Sequence, residues 1–309
     1  MEQTRAFFES IGLPGREAVD LADSGKRFPD GAQYRIEIPS TEGPAALRAV
    51  VAAAKEYRVP VHRVSQGSGI QLMTDDEIRE MARIGRGEGM EVSLFVGPRA
   101  PFETGAQAFN PAGKSLGWQH RGVDQLVYAI EDIRRACDLG IRGVLVADIG
   151  LLSVVGKLKA AGKLPANLVV KTSLLLSAPN PATVKLLEEL GAGTVNVTAD
   201  LSVAQMASIR RAVSLPLDVY IEVPDGFGGF VRYYELPDLI RACAPVYVKL
   251  GLRNSPDIYP SGTHIEGTVL ALSRERVRRA RIALEMIARY CPEATMSAVG
   301  AEDLAIPEA

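Results

Sequence analysis

Eight short β-branched runs, each followed by an amphipathic helical stretch, recur along most of the chain, and this alternation constrains its fold more than any other feature. The runs are YRIEIPS (34–40), PVHRVS (60–65), EVSLFVG (91–97), GVLVAD (143–148), LVVKTS (168–173), TVNVTA (194–199), LDVYIEV (217–223) and VYVKLG (246–251). Segments such as PAALRAVVAAAKEYR, DQLVYAIEDIRRACDLG and ERVRRARIALEMIARY lie between them with helical apolar spacing. Thr74 before two aspartates, Asn180 before Pro181, and Ser202 supply helix-start signals. Uniform alternation predicts an α/β fold, a single parallel (β/α)8 barrel of the TIM type over residues 33–292. Residues 1–32 then form an N-terminal extension, with AFFESIG a helix over the barrel bottom, and residues 293–309 form a C-terminal tail. A doubly wound open sheet is the competing fold, and it expects a GxGxxG turn where this chain has PSTEGP.

With 309 residues and 47% apolar side chains, the chain can bury a large core without disulfides. A formal charge of −2 gives no electrostatic drive toward nucleic acid or an anionic membrane. The three cysteines are far apart and form no CxxC pair, a usage typical of a reducing compartment. Neither a secretory leader nor an apolar run long enough to cross a bilayer is evident, so a cytoplasmic protein is expected.

Side chains alternate between lumen and helix layer along a barrel strand, so β-branched positions packed outward identify the inward ones. Ile36 and Ile38 outward place Arg35 and Glu37 inside; Val195 and Val197 place Asn196 and Thr198 inside. Val219, Ile221 and Val223 leave Asp218, Tyr220 and Glu222 inward, and Val246 and Val248 leave Tyr247 and Lys249 inward. Lys171 joins them from a strand that is apolar on both sides. Burying unpaired charge in a lumen that is normally apolar is costly, so this polarity calls for a reason. One is mutual neutralisation as a structural network. The other is catalysis: Glu222 and Glu37 as base and acid, Lys249 and Lys171 stabilising charge, or one of those lysines forming a Schiff base.

The βα loops add candidates. Gln66, in the glycine-bearing turn Ser65–Gly69, offers an amide at the mouth, and the glycine-rich Asp225–Phe230 segment suits either a phosphate cradle or a lid. His120 lies in a long loop (97–122) and His264 in another, both expected on the catalytic face as lids or binding loops, whereas His62 reads as a core histidine. A divalent metal would draw on His120 or His264 with Glu37, Asp148 or Glu222; no HxH or HExxH spacing accompanies them, and the cofactor stays open.

From residue 168 to about 254 the chain resembles the peptidase U32 family, the collagenase-like peptidases. The resemblance rests on the block Asn180–Gly191 (NPATVKLLEELG), on TVNVTADLS (194–202), on LDVYIE (217–222), and on Lys249 and Arg253 in KLGLR. Glu222 stands where the family usually has His, and Gly251 where its motif has Glu. The resemblance implies the barrel and singles out Lys249 and Arg253. Family members often carry a downstream cysteine cluster, some holding iron–sulfur; this chain lacks those cysteines, and no such cluster is expected.

The resulting expectation is a barrel enzyme, hydrolase or lyase, acting on a small anionic or carbonyl-containing molecule or a small peptide. Catalysis falls to Glu37, Lys171, Glu222 and Lys249, and substrate binding to Arg35, Gln66, His120, Asn196 and Arg253. A Schiff-base lyase and a non-catalytic binding subunit are the alternatives. A homo-oligomer is expected from the prevalence of symmetric assemblies.

Overall fold

The computed structural model describes residues 1–11, 20–97 and 118–308; most of the long loop read as a lid, and the end of the AFFESIG stretch, lie outside these residues. Eight parallel strands close into a barrel in chain order: β1 (Tyr34–Pro39), β2 (Arg63–Ser65), β3 (Glu91–Phe95), β4 (Gly143–Val146), β5 (Val169–Thr172), β6 (Thr194–Asn196), β7 (Leu217–Glu222) and β8 (Val246–Leu250). The β1–β8 pairing, with Ile36 opposite Val248 and Glu37 opposite Lys249, completes the ring. The outer layer consists of α2 (Gly43–Tyr57), α3 (Asp75–Gly87), α4 (Gly122–Asp138), α5 (Ile149–Ala160), α6 (Pro181–Glu189), α7 (Val203–Ala212), α8 (Leu236–Cys243) and α9 (Glu266–Tyr290).

Local chemistry sets the helix boundaries. Thr74 and Ser202 each close a capping box, with Glu77 and Gln205 respectively, and Asn180 accepts from the Thr183 amide just before Pro181. These caps satisfy amide donors that the helices themselves cannot. Ile36, Ile38, Val92, Val144, Val195, Val219 and Val248 pack outward in one continuous core between strands and helices. That leaves the opposite strand faces to fill the lumen, as the parity argument requires.

Met1–Arg5, at the start of helix α1 (Glu2–Ser10), border Tyr234, Asp238, Arg241, Tyr290 and Cys291 beside α8 and α9. Phe28 and Ala32, packed on Tyr247, and a C-terminal segment that pairs with β1 through Tyr34 and Met296 contribute to the closed end. Among the described residues no helix is long and apolar enough to cross a membrane.

Candidate active site

Three cations and three carboxylates fill the middle of the lumen. Arg63, on β2, lies opposite both Glu37 on β1 and Glu91 on β3, so strand register delivers it to two acids at once. Its Nη1 donates to Asp218 Oδ1 at 3.0 Å and Glu37 Oε2 at 3.2 Å, its Nε to Glu91, and its guanidinium lies 3.5 Å from the centre of the Tyr247 ring. Lys171 Nζ binds Glu37 Oε2 and reaches Asp218 Oδ2 at 2.9 Å. Lys249 Nζ is 3.4 Å from Glu37 Oε1, an oxygen that also accepts from the Ser65 hydroxyl at 2.7 Å.

These contacts fix the charge states. Burial pushes the Glu37 carboxyl up, but Lys171, Lys249 and Arg63 together overcome it and hold it well below the usual carboxylate range. Burial drives Lys171 down to about 8, with Asp218 and Glu37 only partly offsetting the loss of hydration. At neutral pH both remain charged, and the six groups sum to zero.

Above this network, at the C-terminal ends of the strands, lies a cavity of about 50 Å³ bordered by Ser65, Gln66, Phe95, Leu145, Ser173, Asn196, Tyr220 and Lys249. Among the described residues Lys249 is the one charged side chain on its wall. Its ammonium rests 4.4 Å from the centre of the Tyr220 ring, the face of which attracts a cation. The location is where barrels of this type present reactive groups.

Several anticipated residues sit elsewhere. Glu222 leaves the lumen because β7 shifts register between Tyr220 and Glu222, so Glu222 stands opposite Leu250 while Tyr220 stands opposite Lys249. Val223 takes the mouth side with Tyr220 and Ala199, and Glu222 instead accepts from Tyr233 Oη at 3.0 Å and the Arg253 amide at 2.9 Å, with Arg279 Nε at 3.4 Å. Arg35 points inward but at the closed end, bound to Ser297, Tyr247 and Asp303 over the Phe28 ring, away from any substrate entering at the mouth. Arg253 is half exposed and paired with Asp225 at 2.9 Å.

Gln66 lines the mouth, yet its amide is occupied in holding the Gly69 backbone and the Phe95 amide. The Asn196 amide, also lining it, bridges the Asp218 carbonyl and the Leu174 N–H. His120 is held by its backbone to Asp148, with its buried ring Nδ1 3.8 Å from the same carboxylate. His264 lies on an exposed turn, and among the described residues no three His, Cys, Asp or Glu side chains converge as a metal cage. Arg63 and Glu91 were missed as site residues; the outward Val64 and Val92 beside them carry the same parity signal that found Glu37.

Residues 122–223 match the model of peptidase family U32, from the start of α4 to the residue after β7. No curated protein matches the chain. Among solved structures, a candidate fructose-1,6-biphosphate aldolase from Coccidioides immitis is similar, with a TM-score of 0.51 and 15% identity over 83% of this chain and 92% of that one. The U32 peptidase Mk0906 gives 0.43 and 14%, covering 78% of this chain and 99% of its own. A candidate dihydrodipicolinate synthetase from Pseudomonas aeruginosa gives 0.44 and 13%, covering 82% and 84%. At 15% identity the likeness to the aldolase is one of fold. The sequence match stops before Lys249 and Arg253, but it spans four of the barrel's strands and the helices that join them. By that match, the β4–β7 stretch of this closed eight-stranded barrel resembles the peptidase U32 family.

Proposed function

We propose that this barrel is a lysine-dependent enzyme of the lyase or aldolase type, in which Lys249 condenses with a small carbonyl compound at the mouth of the lumen. The observation that carries the reading is that Lys249 lines the mouth cavity, its Nζ between the Tyr220 ring and Glu37 Oε1, while Asp218 and Glu91 stay bound to cations deeper in the lumen. The amine nitrogen attacks the carbonyl carbon, the carbonyl oxygen leaves as water, and a protonated imine remains. An ammonium is thereby exchanged for an iminium, so the lumen keeps its zero charge and Glu37 keeps a cation beside Oε1. A cavity of about 50 Å³ suits a substrate of a few heavy atoms better than a peptide.

Hydrolysis by an acid–base pair is less well supported. Glu37 is held ionised by its cations and so makes a poor proton donor, and Glu222 lies outside the lumen. The test is reductive trapping: protein incubated with a panel of small aldehydes, ketones and 2-oxo acids, reduced with borohydride, and mapped by peptide mass spectrometry. An adduct on Lys249 that disappears in Lys249→Arg is expected. No adduct across the panel, or one that persists in the variant, overturns the reading.

A further inference from the structure

We propose that the C-terminal segment, residues 295–308, is an acid-released strap across the closed end of the barrel, with His62 as its latch. The strap is sewn to successive strands rather than to one. The Tyr34 amide donates to the Thr295 carbonyl at 3.2 Å, the Ser297 amide to Tyr34 at 3.1 Å, the Gly300 amide to Gly89 at 3.0 Å, and the Glu308 amide to Gly140 at 2.8 Å. The Ala305 amide reaches the lumen itself, donating to Glu91 Oε1 at 2.9 Å.

His62 connects strap and strand through both ring nitrogens. Nδ1 accepts from the Ile36 amide at 3.1 Å, which fixes the proton on Nε2, and Nε2 donates to the Ser297 carbonyl at 2.8 Å. A second proton on Nδ1 would set one N–H against another and remove the acceptor that the Ile36 amide needs. The charged groups that act on the ring are Arg35 on β1, Glu91 on β3 and Asp30 before β1, with Asp303 on the strap paired to Arg35. Each is already bound: Glu91 to Arg63, Tyr247 and the Ala305 amide, Asp30 to Ser297 and the Ala32 amide, Asp303 to Arg35.

Burial lowers the His62 imidazole from 6.5 to about 4, the Ser297 carbonyl only partly opposing it. Imidazole released to water titrates at its ordinary value, so the open strap binds a proton that the closed strap refuses throughout the interval between 6.5 and 4. Falling pH therefore favours release, by about 20-fold at pH 5 relative to neutrality. Release would hydrate a polar line running from Arg35 through Tyr247, Glu91 and Arg63 to Glu37, beneath Lys249.

Hydrogen exchange read by mass spectrometry, corrected for the intrinsic chemical rate, tests this in the full chain between pH 7.5 and 4.5. Strap peptides are expected to lose about 10- to 30-fold in protection by pH 5, while peptides from β4 to β6 hold theirs. His62→Gln, whose amide can still donate but does not titrate, is expected to abolish the pH dependence. Because that variant could fold poorly, the His62 ring resonance is also followed by NMR in the native protein, where only two other histidines compete. Coincident midpoints for ring titration and strap exposure support the latch. A strap whose protection does not change with pH, that opens at a different midpoint, or that responds unchanged in a folded His62→Gln, overturns it.

Discussion

Asp218 and Lys249 illustrate how differently two buried charges of one network are held. Asp218 accepts from Arg63, Lys171 and Thr194 and is fully enclosed. Lys249 meets one carboxylate at 3.4 Å and otherwise faces an aromatic ring and the mouth cavity. Asp218→Ala is therefore expected to cost about 3–5 kcal/mol, the range for stranding buried partners. Lys249→Met, which leaves Glu37 with two other cations and can keep its stem packed, is expected to cost about 1 kcal/mol. Urea unfolding at pH 7 checks both; equal losses would mean that the mouth lysine is as much a part of the structural network as Asp218. This distinction was only half visible in the sequence. Alternation placed Glu37, Asp218 and Lys249 on the inward face, but it carries no information about height, and so Arg35 at the closed end looked equivalent to Lys249 at the mouth.

At the scale of the element, the strands were legible because β-branched runs between glycine and proline punctuation have few other uses, and all eight appear within a few residues of their expected limits. What parity could not survive is a change of period inside a strand. The shift after Tyr220 turns Glu222 toward Tyr233 and Arg279, and no residue in LDVYIE announces it. Glu222 thus ties the end of β7 to the following loop and to α9. Glu222→Gln keeps one oxygen, which can still accept from the Arg253 amide, sets an NH2 beside the Tyr233 hydroxyl, and loses the ionic contact with Arg279. It is expected to lower stability by about 1–2 kcal/mol and to leave borohydride trapping at Lys249 within a factor of about 2. Loss of trapping in a folded Glu222→Gln protein would return that carboxylate to the reacting centre.

Over the whole molecule, the buried ionisable groups together determine a pH profile for folding. On the acid side, Glu37 is held below its unfolded value of 4.5, so the stability it contributes is complete above that pH and is lost as pH falls through the native value. His62 acts earlier: held at about 4 against 6.5, it makes unfolding more favourable as pH drops across that interval, worth about 3 kcal/mol when complete. On the alkaline side two effects oppose each other. Lys171, lowered to about 8 from 10.5, binds fewer protons folded than unfolded, so stability rises with pH between those values. Burial raises the thiols of Cys137 and Cys291 to about 11 and Cys243 to about 12 from 9.0, so above pH 9 the unfolded chain ionises where the folded chain does not, and stability falls. Each such thiol subtracts about 1.4 kcal/mol per pH unit once the unfolded thiol is ionised, so the three together outweigh the single lysine once pH passes 9. The unfolding free energy from urea titrations is therefore expected to climb from pH 5 to a maximum between 8 and 9 and to drop steeply by pH 10.5. Replacing all three cysteines by alanine should make the alkaline limb shallower and uncover the rise due to Lys171; an alkaline limb unchanged in that triple variant would place its origin in other groups.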